Sequence, residues 1–171
     1  RERHNAIRGD TYDTILANIQ AAPTNNICLY MAINQINKNA IPSVCATARD
    51  TKNIRAVSFN FHTPYPDTKD LALSKEEKAA CCQTIARMMD EGAPVFNLKS
   101  AFPYLIETRF PTPCRQCVVM ENGKLSVCGR CIEVPGLCEQ CGYFFVAEYT
   151  LLFRGNVKII AEMLRTYLRY I

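Results

Sequence analysis

Residues 54–62 read Ile54-Arg55-Ala56-Val57-Ser58-Phe59-Asn60-Phe61-His62 and alternate between apolar and polar side chains. In a strand, side chains two positions apart share a face. The apolar face consists of Val57, Phe59 and Phe61. The polar face consists of Ser58, Asn60 and His62. Because polar groups inside an apolar strand are costly unless they are hydrogen-bonded or line a cavity, the segment predicts a strand that borders a substrate pocket.

Helical and strand patterns alternate on both sides of this segment. Residues 11–21 have helical spacing, residues 27–33 form a short apolar run typical of a covered strand, and a second helical pattern starts at Ile41. Ser74 and Glu77 match a capping box before a third helix, and residues 95–98 predict a third strand. Such alternation predicts parallel strands joined by helical crossovers, as in an α/β sheet or part of a barrel.

The pattern changes at about residue 108, where Pro111 and Pro113 introduce a cysteine-rich stretch. We therefore divide the chain into residues 1–108 and 109–171. Residues 143–153 predict a further strand. A closing helix then carries an apolar stripe, which we expect to dock on the domain. The stripe consists of Val157, Ile160, Ala161, Leu164, Tyr167, Leu168 and Ile171.

Charge and hydropathy exclude several classes of protein. The net charge is +4 over 171 residues, and the basic residues are scattered, so nucleic acid is not an expected partner. No apolar run approaches the roughly 18 residues needed to cross a bilayer, and the amino end does not resemble a signal peptide. We therefore expect a cytoplasmic protein without a membrane span.

The 10 cysteines fall into two groups. Four lie inside periodic elements and are expected to be small buried residues: Cys28, Cys45, Cys81 and Cys82. The other six form three Cys-x-x-Cys pairs: Cys114 with Cys117, Cys128 with Cys131, and Cys138 with Cys141. Because two intervening residues let a tight turn direct both sulfurs at one ion, the pairs predict a metal centre.

Three explanations of these pairs compete. A disulfide framework requires an oxidising compartment, for which the sequence carries no signal. Zinc fits the first two pairs as a ribbon of two knuckles but leaves Cys138 and Cys141 unexplained. An iron–sulfur cluster uses the same soft thiolates. The spacing alone therefore leaves iron–sulfur and zinc open.

The segment His4-Asn5-Ala6-Ile7-Arg8-Gly9, together with the helix that follows it, resembles the region after the fourth barrel strand of radical S-adenosylmethionine (SAM) enzymes. The next strand ends in Asn34, as it often does in that family, and the region from Asn122-Gly123 through the later cysteine pairs looks like a SPASM-type extension. The resemblance implies the C-terminal half of a partial (β/α)6 barrel, followed by a small module that binds an auxiliary [4Fe-4S] cluster.

The resemblance also implies cofactor contacts and partners. Asn34 is expected to contact SAM, Arg8 suits the SAM carboxylate, and His62 lies at a strand end that faces the same mouth. The family's Cys-x-x-x-Cys-x-x-Cys motif, which binds the SAM-cleaving cluster, is not among these residues and is expected before Arg1. We expect a small-molecule or peptide substrate and an electron donor such as ferredoxin or flavodoxin. The alternative is a zinc-ribbon module that binds nucleic acid or protein without catalysis.

Overall fold

The computed structural model describes residues 1–112, 118–127, 131 and 133–169. Within these residues the fold mixes helices with two small sheets, which confirms the α/β class. The helices are α1 (Glu2–Arg8), α2 (Tyr12–Ala21), α3 (Ile41–Asp50), α4 (Lys75–Asp90), α5 (Phe102–Glu107), α6 (Phe144–Phe153) and α7 (Val157–Leu168). The strands are β1 (Ile27–Ile33), β2 (Ile54–Phe61), β3 (Val118–Glu121) and β4 (Lys124–Val127).

The strands β1 and β2 form a parallel pair that organises the domain. Their register places Tyr30 beside Ser58 and Ile33 beside Phe61. The helix α3 lies between them in the chain, as expected for the crossover that parallel strands require. Both strands were predicted from the sequence. The described residues form this two-stranded parallel sheet and no barrel, and no described helix is both long and apolar enough to cross a membrane.

The apolar face of β2 forms the centre of the core, because Val57, Phe59 and Phe61 are all buried. Side chains from helices on both sides of the cysteine-rich stretch pack in the same cluster. They include Ile41, Cys45 and Ile85 from α3 and α4, and Phe144 and Ile159 from α6 and α7. The chain segments before and after residue 108 therefore share one hydrophobic core.

The helix α4 begins with the capping box that the sequence predicts. The Glu77 backbone N–H donates to Ser74 Oγ at 3.2 Å, and the Ser74 backbone N–H donates to Glu77 Oε2 at 2.8 Å. Two backbone donors at the helix start are thus satisfied by side chains. Lys38 and Gln35 also contact the Glu77 carboxylate, so the start of α4 is tied to the segment after β1.

The second edge of β2 is completed by three different groups. The Val57 N–H donates to the Pro94 carbonyl at 2.8 Å, and the Phe96 N–H donates to the Val57 carbonyl at 2.9 Å. The next ladder position is filled by a side chain: Asn97 Oδ1 accepts from the Phe59 N–H at 2.7 Å, and Asn97 Nδ2 donates to the Phe59 carbonyl at 3.2 Å. Further along, the Phe61 N–H donates to the Gly142 carbonyl at 2.8 Å.

The prediction of a strand over residues 95–98 is therefore wrong. A single bridge, Val57 to Val95, is all the strand pairing that the described residues make there. Because the Asn97 side chain takes the place of backbone, the chain can leave the sheet, and it enters a 3-10 turn at Lys99–Ala101.

The predicted strand over residues 143–153 is also wrong, because Phe144–Phe153 is the helix α6. Its buried side chains include Phe144, Ala147, Glu148 and Leu151, which have the spacing of one helix face. The segment is apolar almost throughout, and a short apolar run does not by itself distinguish a strand from a buried helix. Tertiary contacts with β2, α5, α7 and the Lys99–Ala101 turn therefore select the helix.

The closing helix is confirmed as α7, but its predicted docking face is right only in part. Tyr167 of the predicted stripe packs against the core. The helix packs through Ile159, Met163 and Thr166, whereas Val157, Leu164 and Leu168 of the predicted stripe are exposed. The helix is apolar around more than half of its circumference, so periodicity alone does not identify the side that meets the core.

Three of the four cysteines expected to be structural are buried in the core. Burial raises the pKa of the Cys45 and Cys81 thiols to about 11 and that of Cys82 to about 12, so these thiols stay protonated and inert. The expectation is wrong for Cys28, which is exposed. The buried face of β1 is formed instead by Met31 and Ile33, which lie later in the strand.

Gly142→Ala tests the contact between the cysteine-rich segment and β2. A Cβ at this position would lie 2.1 Å from the Phe61 carbonyl oxygen, which belongs to a buried strand that cannot move aside. We expect the free energy of unfolding in urea to fall by about 3 kcal/mol, the upper part of the range for overpacking. Ala17→Ser is the control, because Ala17 is exposed on α2 and an added side-chain atom there enters solvent. Equal losses of unfolding free energy in the two variants would contradict the close approach of Gly142 to the Phe61 carbonyl.

Candidate functional site

The carboxyl ends of β1 and β2 lie side by side and form the mouth of the sheet. The His62 N–H donates to the Ile33 carbonyl at 2.8 Å, so His62 and Asn34 leave neighbouring strands at the same end. Ligands of parallel α/β proteins bind at this end, because loops diverge from it. The structure thus brings Asn34 and His62 to the mouth that the sequence predicts for them.

Asn34 organises the turn that follows β1. The side chain is buried, and its Oδ1 accepts hydrogen bonds from the backbone N–H groups of Ile36 at 2.9 Å and Asn37 at 3.2 Å. The amide oxygen is therefore already used by the protein. A contact between Asn34 and SAM stays a prediction, and the side-chain NH₂ is the group of Asn34 left for it.

His62 is half-buried and held by the loop after β2. Its Nε2 lies 3.0 Å from Thr68 Oγ1 and 3.2 Å from the Thr68 carbonyl oxygen. A carbonyl oxygen can only accept, so this geometry favours a proton on Nε2. The imidazole ring of His62 is thereby fixed at the mouth.

Arg8 is the last residue of α1, a helix that has no buried residues. Hydrogen bonds of His4 and Asn5 join this helix to the start of α2.

The cysteine-rich segment meets the mouth through Cys131. Cys131 is 6% exposed, and its Sγ lies 2.9 Å from the hydroxyl of Tyr65. Tyr65 belongs to the loop that begins directly after His62. A hydroxyl at this distance can donate to a thiolate and stabilise its negative charge. The loop after β2 therefore supplies a partner for one of the predicted metal ligands.

The last cysteine pair is attached to β2 by the residue that follows it. Cys138 starts a 3-10 turn, and the Cys141 N–H donates to the Cys138 carbonyl at 3.3 Å. The next residue, Gly142, accepts from the Phe61 N–H and donates its own N–H to Thr63 Oγ1 at 3.2 Å. The pair is therefore joined to the backbone at the carboxyl end of β2.

Three of the six predicted ligands, Cys114, Cys117 and Cys128, lie outside the described residues. Cys131, Cys138 and Cys141 are described, and none of them is in a disulfide. The described residues alone contain no group of three or more side chains that could hold a metal ion. Their thiols and the tight turn at Cys138 nevertheless suit a metal that prefers sulfur ligands.

A hairpin joins the first two cysteine pairs. The strands β3 and β4 are antiparallel, with Val118 opposite Val127 and Glu121 opposite Lys124. Asn122 and Gly123 between them have φ of 51° and 74°, as a two-residue hairpin turn requires. In sequence, Cys117 precedes this hairpin and Cys128 follows it. Knuckles at the base of a hairpin are typical of both zinc ribbons and other thiolate sites.

The polar face of β2 is hydrogen-bonded within the fold, and a substrate pocket along it stays a prediction. Asn60 Oδ1 accepts from the Phe144 N–H at 2.9 Å and so caps the start of α6. Ser58 Oγ lies 3.4 Å from Asn97 Nδ2. Hydrogen bonding within the fold therefore compensates the burial of these polar groups.

A buried carboxyl group lies next to this polar row. Glu148 Oε1 accepts from the Leu98 N–H at 2.9 Å and lies 3.4 Å from Asn97 Nδ2. Burial raises the pKa of Glu148 to about 7, although these two hydrogen bonds lower it, and the charge of Glu162 raises it further. No sequence signal selects Glu148, because a strand over residues 143–153 does not group it with Asn97.

A cavity of about 280 Å³ lies away from the mouth, near the amino end of β2. Arg55, Gly92 and Arg169 are among the residues that line it. Arg55 already donates to Asn26 Oδ1 at 2.7 Å. None of the predicted site residues lies in this cavity, so we place the candidate site at the mouth and not there.

Glu148→Gln tests the buried carboxyl group. Between pH 4.5, the ordinary pKa of a glutamate, and about 7, the group is protonated when folded and ionised when unfolded. Its contribution to stability is therefore complete below pH 4.5 and is lost as pH rises through 7, by up to about 3 kcal/mol. We expect the variant, measured by urea unfolding, to gain stability relative to the wild type between pH 5 and pH 8. Parallel pH profiles of the two proteins would contradict this assignment.

Tyr65→Phe removes the hydroxyl that contacts Cys131. If Cys131 binds metal as a thiolate, loss of this hydrogen bond should lower the affinity for Zn²⁺, used as a probe, by about 10–100-fold. A competition titration with a chromophoric chelator measures the affinity. Tyr12→Phe, in α2, is the matched control and should bind as the wild type does. Unchanged affinity in Tyr65→Phe, with the wild type binding tightly, would show that the contact only fills space.

Comparison with protein-family models, with curated proteins and with solved structures finds no match to this chain.

Proposed function

We propose that this chain is the C-terminal portion of a radical SAM iron–sulfur oxidoreductase, in which the cysteine-rich segment binds an auxiliary [4Fe-4S] cluster at the mouth of the parallel strands. One observation carries the proposal. The segment returns to the carboxyl end of β2, where Gly142 bonds to Phe61 and Thr63 and Cys131 contacts Tyr65. A metal centre held there would lie at the end of the sheet where α/β proteins bind substrates.

The proposed ligands are Cys114, Cys117, Cys128, Cys131, Cys138 and Cys141. Thiolates are the preferred protein ligands of iron–sulfur clusters, and hydrogen bonds to their sulfurs adjust the properties of the cluster. Tyr65 supplies such a hydrogen bond at 2.9 Å from Cys131 Sγ. In contrast, the thiols of Cys45, Cys81 and Cys82 are kept protonated by burial and are not candidates.

The finer fold that we propose is the second half of a partial (β/α)6 barrel. The outer edge of β1 pairs with no strand among the described residues. A bare strand edge is normally covered or continued, because it otherwise promotes aggregation. Further parallel strands beside β1 would cover this edge and extend the mouth that contains Asn34 and His62.

Asn34 and His62 at this mouth would orient SAM and substrate. The family resemblance further implies that Arg8 would pair with the carboxylate of SAM. When bound, SAM and its own cluster supply a 5′-deoxyadenosyl radical that abstracts hydrogen from a substrate. The residues of this chain would position the reactants and exclude water. The expected partners are a small-molecule or peptide substrate and an electron donor such as ferredoxin or flavodoxin.

A second candidate is a zinc-ribbon binding module. The β3–β4 hairpin favours it, because the first two cysteine pairs flank that hairpin in the sequence, as the pairs of a zinc ribbon do. In this case the six cysteines would be structural, and the partner would be nucleic acid or protein. The two candidates agree on a thiolate centre and differ in the metal.

Metal analysis of protein prepared without oxygen distinguishes the candidates. We expect a brown protein with stoichiometric iron and sulfide, and we expect Cys138→Ser and Cys141→Ser to lose most of both. Cys28→Ser is the matched control, because Cys28 is exposed and outside the three pairs. It should keep the full metal content.

Colourless protein with tightly bound zinc would favour the zinc-ribbon module and reject the cluster. Full metal content in both Cys138→Ser and Cys141→Ser would remove the last pair from the centre. No bound iron or zinc in the wild type would reject both candidates.

A further inference from the structure

The helix α7 keeps an apolar row on its solvent side. Val157, Leu164 and Leu168 are 77%, 61% and 72% exposed, and Ala161 completes the row at helical spacing. At the end of α6, just before the row, Phe153 is 83% exposed, the highest value among the large hydrophobic side chains of the described residues. The helix α7 contacts the core with its other side, through Ile159, Met163 and Thr166. Packing in this domain therefore does not explain the exposed apolar row.

Basic side chains border this apolar row. Lys158, Arg165 and Arg169 follow Val157, Leu164 and Leu168 directly in the sequence, so they lie on the adjacent strip of the helix surface. Arg154 stands next to Phe153. All four are exposed, and none forms an ion pair with a described residue.

The acidic residues of the same region are not available to balance these charges. The Glu162 carboxylate accepts from the backbone N–H groups of Lys99 and Ser100, both at 2.8 Å, and so caps the start of the 3-10 turn at Lys99–Ala101. Glu148 is buried. The exposed charges of α7 are therefore all positive and adjoin its exposed apolar row.

We infer that this surface, made of Phe153, Val157, Ala161, Leu164 and Leu168 with the four adjacent basic residues, binds the surface of a membrane that contains anionic lipids. A helix with Leu and Phe on one side and Lys or Arg beside them can lie in the headgroup region, with its apolar side chains inserted. The basic residues would then face the negatively charged headgroups. Binding of this kind involves no membrane span.

Two other occupants fit less well. A second copy of the chain would bring the basic strips of two α7 helices close together, where like charges repel. Nucleic acid would satisfy the basic strip but would leave the apolar row in water. A lipid surface is complementary to both parts, because it accepts apolar side chains and carries negative charge.

Co-sedimentation of the full chain with vesicles tests the inference. We expect binding to vesicles of phosphatidylglycerol mixed with phosphatidylcholine, and at least about tenfold weaker binding to pure phosphatidylcholine or in high salt. The double variant Leu164→Gln and Leu168→Gln should weaken binding about tenfold or more. Arg165→Gln combined with Lys158→Gln should weaken binding only to the anionic vesicles.

Ile15→Gln is the control, because Ile15 is an exposed apolar residue on α2, outside this surface. It should bind as the wild type does. Circular dichroism and thermal unfolding establish that every variant is folded. Failure of the folded wild type to sediment with anionic vesicles would overturn the inference, as would undiminished binding by the leucine variant. Concentration-dependent dimerisation or capture of an acidic peptide, without vesicle binding, would also overturn it.

Discussion

The backbone of β2 is the constraint on which the rest of the structure depends. The strand is buried, so every N–H and C=O on its edge away from β1 needs a partner. Backbone at Pro94 and Phe96, the side chain of Asn97 and the carbonyl of Gly142 supply these partners in turn. Because the last partner comes from beyond the cysteine-rich stretch, satisfying one strand also attaches that stretch to the mouth of the sheet.

This arrangement links the proposed metal centre to the geometry of the mouth. Thr63 and Tyr65, on the loop that leaves β2, contact Gly142 and Cys131. His62, which precedes them, is held by Thr68 in the same loop. A change at the proposed centre would therefore be transmitted to the loop that carries a predicted cofactor contact. Each of these contacts, Thr63 to Gly142, Tyr65 to Cys131 and His62 to Thr68, is a direct hydrogen bond.

The polar groups of β2 illustrate how one observation supports two interpretations. A row of Ser58 and Asn60 is costly to bury, and the sequence interpretation assigned this cost to a pocket. The structure compensates it internally, with Asn60 capping α6 and Ser58 near Asn97. Glu148 joins the same cluster, where burial keeps its pKa near neutrality. The polar row thus attaches α6 to the sheet.

The sequence by itself determined the elements with a strong local signal: β1, β2, α2, α3, the capping box of α4 and the existence of α7. It also shows which cysteines come in Cys-x-x-Cys pairs, whose spacing predicts a metal centre. The tertiary structure decided what periodicity leaves ambiguous. Residues 144–153 are apolar almost throughout, so tertiary contacts, among them the hydrogen bonds to Asn60 and Asn97, select the helix. The docking face of α7 was likewise chosen by the shape of the core, because the helix is apolar on more than one side.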